Sequence, residues 1–273
     1  MGQQVAAGHE FGDVDRTGQP AAFVRYLDER GALEFFQRLE RQMADRLGVR
    51  AGGRYLDVGC GTGDDARGLA GLVGPGGEVV GVDSSAAMVT EAETRTAGSG
   101  LPVAFRRGDA HLLEFADGTF DGCRVRRVLT HLADPQRAVA EMARVTRPGG
   151  RVVAYEADWE TFVLDAADRA VTRAVVQLRC DRIRNGWMGR QLPRLFKRAG
   201  LAEVAVEPLA STQTDHARAM ALFELDIYAQ RAQEAGLVTA AAAAAWLAQL
   251  AQAGEEGTFL AGVTGFLVSG HRS

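Results

Sequence analysis

Lysine is almost missing from this 273-residue chain: Lys197 is the only one among 31 basic residues, and the rest are arginine. With the alanine and glycine excess, this reads first as the codon bias of a GC-rich genome, not as arginine-specific chemistry. Basic residues are also outnumbered, since 35 acids leave a net charge of −4. That sign argues against a protein that tracks a phosphate backbone, for which a basic face is expected. Cysteine is scarce. Cys60, Cys123 and Cys180 lie far apart with no metal-ligand spacing, and their odd number suits a reducing compartment. Long apolar runs are missing too. The longest, from 240–245 onward, is alanine-rich and too short and weakly apolar to span a bilayer. The N-terminus carries His9, Glu10, Asp13 and Asp15 where a secretory signal needs an apolar core. These absences predict a soluble, cytoplasmic protein with no metal site and no nucleic-acid or membrane partner. The length suffices for one α/β domain with added helices.

What is present is concentrated in residues 56–63, which read LDVGCGTG. An apolar strand ends at Asp57 and runs straight into Gly59, Gly61 and Gly63. A second apolar strand ends in Asp83, within the segment VVGVDSS. A glycine-rich turn between strand and helix lets a ligand's polar end approach bare backbone and helix N-terminal N–H groups. An acid at the end of the next strand is placed to accept both hydroxyls of a ribose. Together they specify a nucleoside-bearing cofactor. In the dinucleotide fingerprint a third glycine would stand at Asp64, and Asp65 follows it. Two carboxylates there suit the helix dipole but repel a pyrophosphate. A cofactor with a cationic tail fits better, and S-adenosylmethionine has one in its sulfonium and ammonium.

Residues 1–18 are polar and expected to stay mobile until something orders them. Helical spacing of apolar residues covers 20–47, with Gly31 as a divider. Strands are expected at 54–58, 78–82, up to Asp109, from 120, and at 151–155. Helices at 64–73, 85–97 (capped by Ser84 or Ser85) and 138–145 alternate with them. The Asp134-Pro135 pair is read as ending or interrupting a helix. This alternation implies a parallel sheet with helices on both faces. Helices at 166–182 and 191–199, and strands at 202–208 and 262–269, complete the chain. About fifty mostly helical residues separate the last two strands. The division expected is a helical lid over 1–50, a cofactor-binding core over 51–158, and a C-terminal part over 159–273.

LDVGCGTG, followed in order by VDSS, RGDA and EMARVTRPGGRVV, resembles the class I (seven-stranded) S-adenosylmethionine-dependent methyltransferases. Within them it is similar to the branch acting on small molecules and quinone-type metabolites. The resemblance covers roughly residues 50–155. It implies a Rossmann-like, mostly parallel seven-stranded sheet with an added helical cap, and S-adenosylhomocysteine as product. The acceptor it implies is a small specialised-metabolite or quinone-like compound. Asp57 and the turn of Gly59, Cys60, Gly61 and Gly63 match the contacts to the cofactor's amino-acid portion, and Asp83 the ribose acid. Ser84 and Met88 match the positions flanking the adenine. Asp109 matches the acid on its exocyclic amine, and Ala110 the neighbouring N–H. Bland readings stay beside these: Cys60 as packing, Asp83 and Asp109 as caps, and Tyr26 as a helix core residue instead of a cover over the cofactor. The family joins its last two strands by one shorter helix, so the excess here, with 18–47 and 160–190, is expected to cap the substrate.

Methyl transfer from a sulfonium is an in-line displacement with an activated donor, so alignment and dryness count for more than a catalytic signature. Relatives often show Leu-His-His where this chain has Leu129, Thr130 and His131. His131 is a candidate general base, or a structural histidine. Arg126 and Arg127 stand at the methionine end, where relatives carry small or apolar residues. They either clamp a carboxylate or phosphate of the acceptor or pair with Asp121, Glu141 or another acid. Past the fifth strand, Glu156 and Asp158 are candidate bases and Trp159 a stacking platform. Methylators of exocyclic amines in nucleic acid or protein carry an Asp/Asn/Ser-Pro-Pro-aromatic motif where this chain has Val125-Arg126-Arg127-Val128. A non-methylating relative, cyclase-type or a binding protein, remains the alternative on the same fold.

Overall fold

In the computed structural model, which describes residues 11–273, the short apolar runs pair into one sheet. β1 (Arg54–Val58), β2 (Glu78–Asp83), β3 (Val103–Arg107), β4 (Phe120–Arg126) and β5 (Thr146–Ala157) are parallel. Their spatial order is β3-β2-β1-β4-β5. β1 and β2 are buried nearly throughout, without alternation, as strands covered on both faces must be. β8 (Ala261–Arg272) runs antiparallel between β5 and β7 (Leu201–Gln213). These are the seven strands expected. An eighth, the two-residue β6 (Val163–Leu164), pairs with the start of β8. The chain leaves β1 toward β3 on one side and returns to β4 on the other. The carboxyl ends of β1 and β4 therefore flank a switch point, where open α/β sheets hold ligands.

Each sheet face has its own core. On one side α2 (Glu34–Leu47), α3 (Asp64–Val73) and α4 (Ala86–Thr96) bury Phe36, Met43, Leu69, Val73 and Val89 against Tyr55, Val79 and Phe105. On the other, α5 (Pro135–Val145) and α7 (Met188–Arg198) bury Val139, Met142, Leu192 and Phe196 against Val80, Cys123 and Val125. A third core belongs to the cap: α6 (Arg169–Arg182), α8 (His216–Phe223), α9 (Leu225–Glu234) and α10 (Ala240–Glu255). Trp246 is fully buried there, and its indole N–H donates to Thr172 Oγ1 at 2.9 Å. Segments before and after β7 thus share one apolar cluster with Trp159 and Phe162. Among the described residues no helix is long and apolar enough to cross a membrane.

Two local expectations change. Pro135 starts α5 instead of ending a helix, because the first turn has no use for the N–H that proline lacks. Asp134 caps it, accepting from the Arg137 N–H at 3.0 Å. Residues 129–131 before it form only a 3₁₀ turn. At the N-terminus, residues 1–10, including His9 and Glu10, lie outside the described residues. Residues 11–16 are ordered as a 3₁₀ helix ahead of α1 (Pro20–Gly31). Asp15 orders them by capping α4: it accepts from the Ala86 N–H (2.9 Å), the Ala87 N–H (3.2 Å) and the Ser85 hydroxyl (2.6 Å). Ser85 is the N-cap residue, its hydroxyl accepting from the Met88 N–H.

Urea unfolding separates the two readings of the Asp134-Pro135 pair. Asp134→Ala is expected to cost about 1 kcal/mol as a lost cap. Pro135→Ala should shift stability by less than about 0.5 kcal/mol, as for an ordinary surface substitution. A helix-breaking proline would instead give a gain of about 3 kcal/mol on replacement.

Candidate active site

The turn after β1 owes its shape to its glycines. Gly59, Gly61 and Gly63 all have positive φ, at 71°, 52° and 79°. A Cβ on Gly59 would stand 2.2 Å from Val128 Cγ2, and one on Gly63 2.6 Å from Phe105. Backbone conformation and space therefore both demand glycine at these two positions. Asp83 fastens the turn to the next helix. Its Oδ2 accepts from the Gly61 N–H at 2.8 Å and its Oδ1 from the Ser85 N–H at 2.9 Å. Burial raises the Asp83 carboxyl above its usual range.

A cavity of about 750 Å³ opens at these strand ends. Of the residues singled out from sequence, Gly59, Cys60, Gly61, Asp83, Ser84 and Met88 line it. Asp109, Ala110, Arg126 and His131 line it as well. Cys60 is buried against Gly81 and the Phe105 cluster, and burial pushes its thiol up. Asp109 stands past the end of β3. Its Oδ1 accepts from the His111 N–H at 2.8 Å and lies 2.6 Å from His111 Nδ1. Partial burial opposes ionisation of Asp109, but the contacts with His111 outweigh it and hold the carboxyl low. Gly63 caps α3 and is not in the cavity wall.

Asp57 lies a layer deeper, 2% exposed, in a buried ion network beneath the turn. Arg124, on β4, reaches Glu40 of α2 (2.6 and 2.9 Å), Asp65 of α3 (3.0 Å) and Asp57 (3.1 Å). Arg126 Nε contacts the same Glu40 (3.1 Å) and Asp65 (2.8 Å). Among the described residues Asp57 Oδ2 has no hydrogen-bond partner. Burial pushes the Asp57 carboxyl up to about 7, against the pull of Arg124. Burial opposes Glu40 as well, but Arg124 and Arg126 outweigh it and hold that carboxyl at about 2. Arg126 is thus paired with acids from helices, neither of them Asp121 or Glu141, instead of reaching alone for an acceptor. Glu40 escaped the sequence reading. Its signal was two arginines at alternate positions of an otherwise apolar strand, which need buried acids opposite.

The far end of the cavity is formed by the loop after β4. Arg127 has φ +59°, donates its N–H to the Tyr155 carbonyl (3.0 Å), and donates from Nη2 to Tyr26 Oη (3.1 Å). Glu156 is 1% exposed and does not reach the large cavity. Its Oε1 accepts from the Val128 and Leu129 N–H groups at 2.8 and 2.7 Å, so it shapes the loop that carries His131. The expectation of Glu156 as a base is corrected accordingly: its carboxylate is turned to backbone. Burial nonetheless pushes its carboxyl up to about 8, against those two bonds. Asp158 is fully buried and paired with Arg190. Phe11 and Val14, absent from the sequence-level candidates, cover the cavity from the N-terminal side, with the Phe11 ring centroid 5.5 Å from that of His131.

The Glu156 carboxyl gives a pH test. A folded-state value near 8 against an ordinary 4.5 means that the folded chain holds a proton the unfolded chain releases. Its contribution is complete below pH 4.5 and is lost as pH rises through 8. Glu156→Gln keeps an acceptor for both N–H groups and cannot ionise. Its stability relative to the parent should therefore rise from pH 5 to pH 9 in urea unfolding, where parallel pH profiles would contradict the assignment.

Residues 56–154 match the family model of a methyltransferase domain. An uncharacterised 37.1 kDa protein in transposon TN4556 of Streptomyces fradiae is 42% identical over 247 residues, 90% of this chain and 70% of that one. A demethylmenaquinone methyltransferase of Geobacillus kaustophilus is 32% identical over 210 residues, 71% of this chain and 86% of the relative. The chain spans about half the length of some other curated relatives it matches, such as a ubiquinone/menaquinone biosynthesis C-methyltransferase of Bdellovibrio bacteriovorus. Phosphoethanolamine N-methyltransferase 2 of Haemonchus contortus, solved with S-adenosylhomocysteine, shares the fold at TM-score 0.61 and 20% identity. That likeness covers 98% of this chain and 60% of the other. On this shared sequence and fold, the chain belongs to the class I S-adenosylmethionine-dependent methyltransferases, in their quinone-type branch.

Proposed function

We propose that the protein methylates a small specialised-metabolite or quinone-like acceptor, which meets S-adenosylmethionine in the cavity under the N-terminal helices. The observation that carries this reading is the cavity itself, whose wall carries Asp83 and Asp109 together with Arg127 and His131. Each Asp83 oxygen accepts one backbone N–H and keeps a lone pair for a ribose hydroxyl. Asp109 Oδ2 is suited to an exocyclic amine, and Met88 and Ser84 to the faces of an adenine. Glu40, Asp57 and Asp65 offset the charge of Arg124 and Arg126 beneath the turn, and Asp64 adds a further acid to the wall. That balance suits an ammonium–sulfonium tail and disfavours a pyrophosphate. The names of the quinone methyltransferase relatives support a ring acceptor.

The bound cofactor supplies a methyl group already activated on its sulfonium. The chain supplies alignment, dryness and a base. Of the lid expected over residues 1–50, the described part covers the cavity with Phe11, Val14 and Leu27 as its apolar underside. Residues 51–158 hold the cofactor, and 159–273 complete the sheet and cap the acceptor. His131 takes a proton from a protic acceptor, and Glu156 positions it by fixing the Val128–Leu129 backbone.

Calorimetric titration tests the cofactor. S-adenosylmethionine and S-adenosylhomocysteine are expected to bind and NAD is not; binding of NAD alone would overturn the reading. Asp83→Ala should weaken S-adenosylhomocysteine binding by well over ~tenfold, since charge-assisted hydrogen bonds to the ribose are lost. His131→Asn should leave that affinity unchanged and lower kcat about 10²-fold or more on a phenol or quinol acceptor, read as transfer of labelled methyl. Unchanged kcat would remove His131 from the role of base. Cofactor binding without transfer to any acceptor in a panel of phenols, quinols and their ring-carboxylate derivatives would favour the non-methylating alternative.

A further inference from the structure

A second, small cavity of about 30 Å³ lies behind the wall that Arg127 and His131 form at the end of the large one. Four separate parts of the chain build it: Tyr26 of α1, Glu156 at the end of β5 with Trp159 just after it, Arg179 of α6, and Glu224 between α8 and α9. Arg179 is 5% exposed. Its guanidinium lies 3.7 Å over the Trp159 ring and its Nε donates to the Phe223 carbonyl at 3.0 Å. Arg30, 6% exposed, packs 4.4 Å over the Tyr26 ring and donates from Nη2 to the Leu222 carbonyl at 2.7 Å. Among the described residues Arg179 Nη1 and Arg30 Nε have no hydrogen-bond partner.

Among the described residues, guanidinium groups crowd one side of this chamber. Arg30, Arg127 and Arg179 feel one another as like charges, and Glu224 is the acid that opposes both Arg30 and Arg179. Glu156 turns its Oε1 to backbone N–H groups, and burial keeps it protonated near neutral pH. Burial, reinforced by the neighbouring arginines, brings Arg30 down to about 9 and lowers Arg179 as well. A buried guanidinium N–H left unpaired is costly, and an anionic oxygen is the group that relieves both the missing bond and the charge. The chamber, about 30 Å³, has room for one or two water-sized groups such as the oxygens of a carboxylate, and is too small for a ring.

We propose that the methyl acceptor is a planar carboxylate, its ring in the large cavity beside His131 and its carboxylate in the chamber on Arg179 and Arg127. This rests on the methyltransferase reading above and adds the acceptor's charge to it. The cofactor also carries a carboxylate, so the test separates the two sources. Benzoate and its neutral counterpart benzamide are titrated calorimetrically into the protein saturated with S-adenosylhomocysteine. Benzoate is expected to bind roughly tenfold or more tighter than benzamide, the worth of one charge-assisted hydrogen bond. Arg179→Met should abolish that preference with S-adenosylhomocysteine affinity unchanged, and Arg179→Lys should keep part of it. Equal binding of the two probes, or no binding of benzoate, overturns the proposal and leaves the methyltransferase reading standing. An equal loss of S-adenosylhomocysteine and benzoate in Arg179→Met would assign the chamber to the cofactor and also overturn it. Failure of S-adenosylhomocysteine to bind the parent protein sinks the underlying reading instead. Should Arg179→Met not fold, judged by circular dichroism, Arg127→Met removes the other guanidinium that holds the carboxylate and should abolish the same preference.

Discussion

The guanidinium of Arg124, 1% exposed, holds together the floor on which everything else stands. It meets acids from α2, β1 and α3, and Arg126 two positions on repeats two of the contacts. Such a network is not needed for stability as such, since a well-packed apolar group often does as well. What it does is fix geometry and sign. Two helices that enter the sheet from different parts of the chain are tied to one strand directly under the glycine turn. Removal of either arginine would strand carboxylates out of water.

Above that floor the turn and its neighbours are fastened in sequence. Asp83 joins the Gly61 N–H to the start of α4, and Asp15 caps the same helix start from the N-terminal side. The N-terminal helices are therefore anchored next to Asp83, and their apolar side, through Val14 and Phe23, packs on Met88. On the opposite side Glu156 holds the loop after β4 by two backbone bonds. The wall at Asp83 and the loop that carries His131 are both shaped by carboxyl groups bound to main chain, which leaves each little freedom.

The cap explains why this chain is longer between its last two strands than its fold requires. Its helices share a core with Trp159 and Phe162, so the segment after β5 and the insertion after β7 close the same side of the site. Arg179 comes from the first and Glu224 from the second. The small chamber is thus assembled from parts that are remote in sequence, whereas Gly59, Asp83 and Asp109 of the large cavity lie within residues 57–110.

That contrast marks what was legible in the chain. The sheet, the glycine turn and the strand-end acids Asp83 and Asp109 could be read because each depends on local order: apolar runs, positive-φ glycines, and an acid at a fixed place after a strand. Arg126 and Glu156 were found as residues but not as roles. Whether an arginine faces a ligand or a buried acid depends on Glu40 and Asp65, which come from α2 and α3. Pro135 was misread because a proline interrupts or begins a helix according to what precedes it, and that is a three-dimensional fact about the β4 loop. By itself the sequence determined the alternating α/β order and a nucleoside-bearing cofactor, since both follow from periodicity and spacing along one stretch. The family resemblance added the seven-stranded sheet and supported S-adenosylmethionine. Tertiary structure alone decided which charges are paired, what covers the cavity and where the unpaired guanidinium groups lie, because burial and counter-charge are properties of residues far apart in the chain.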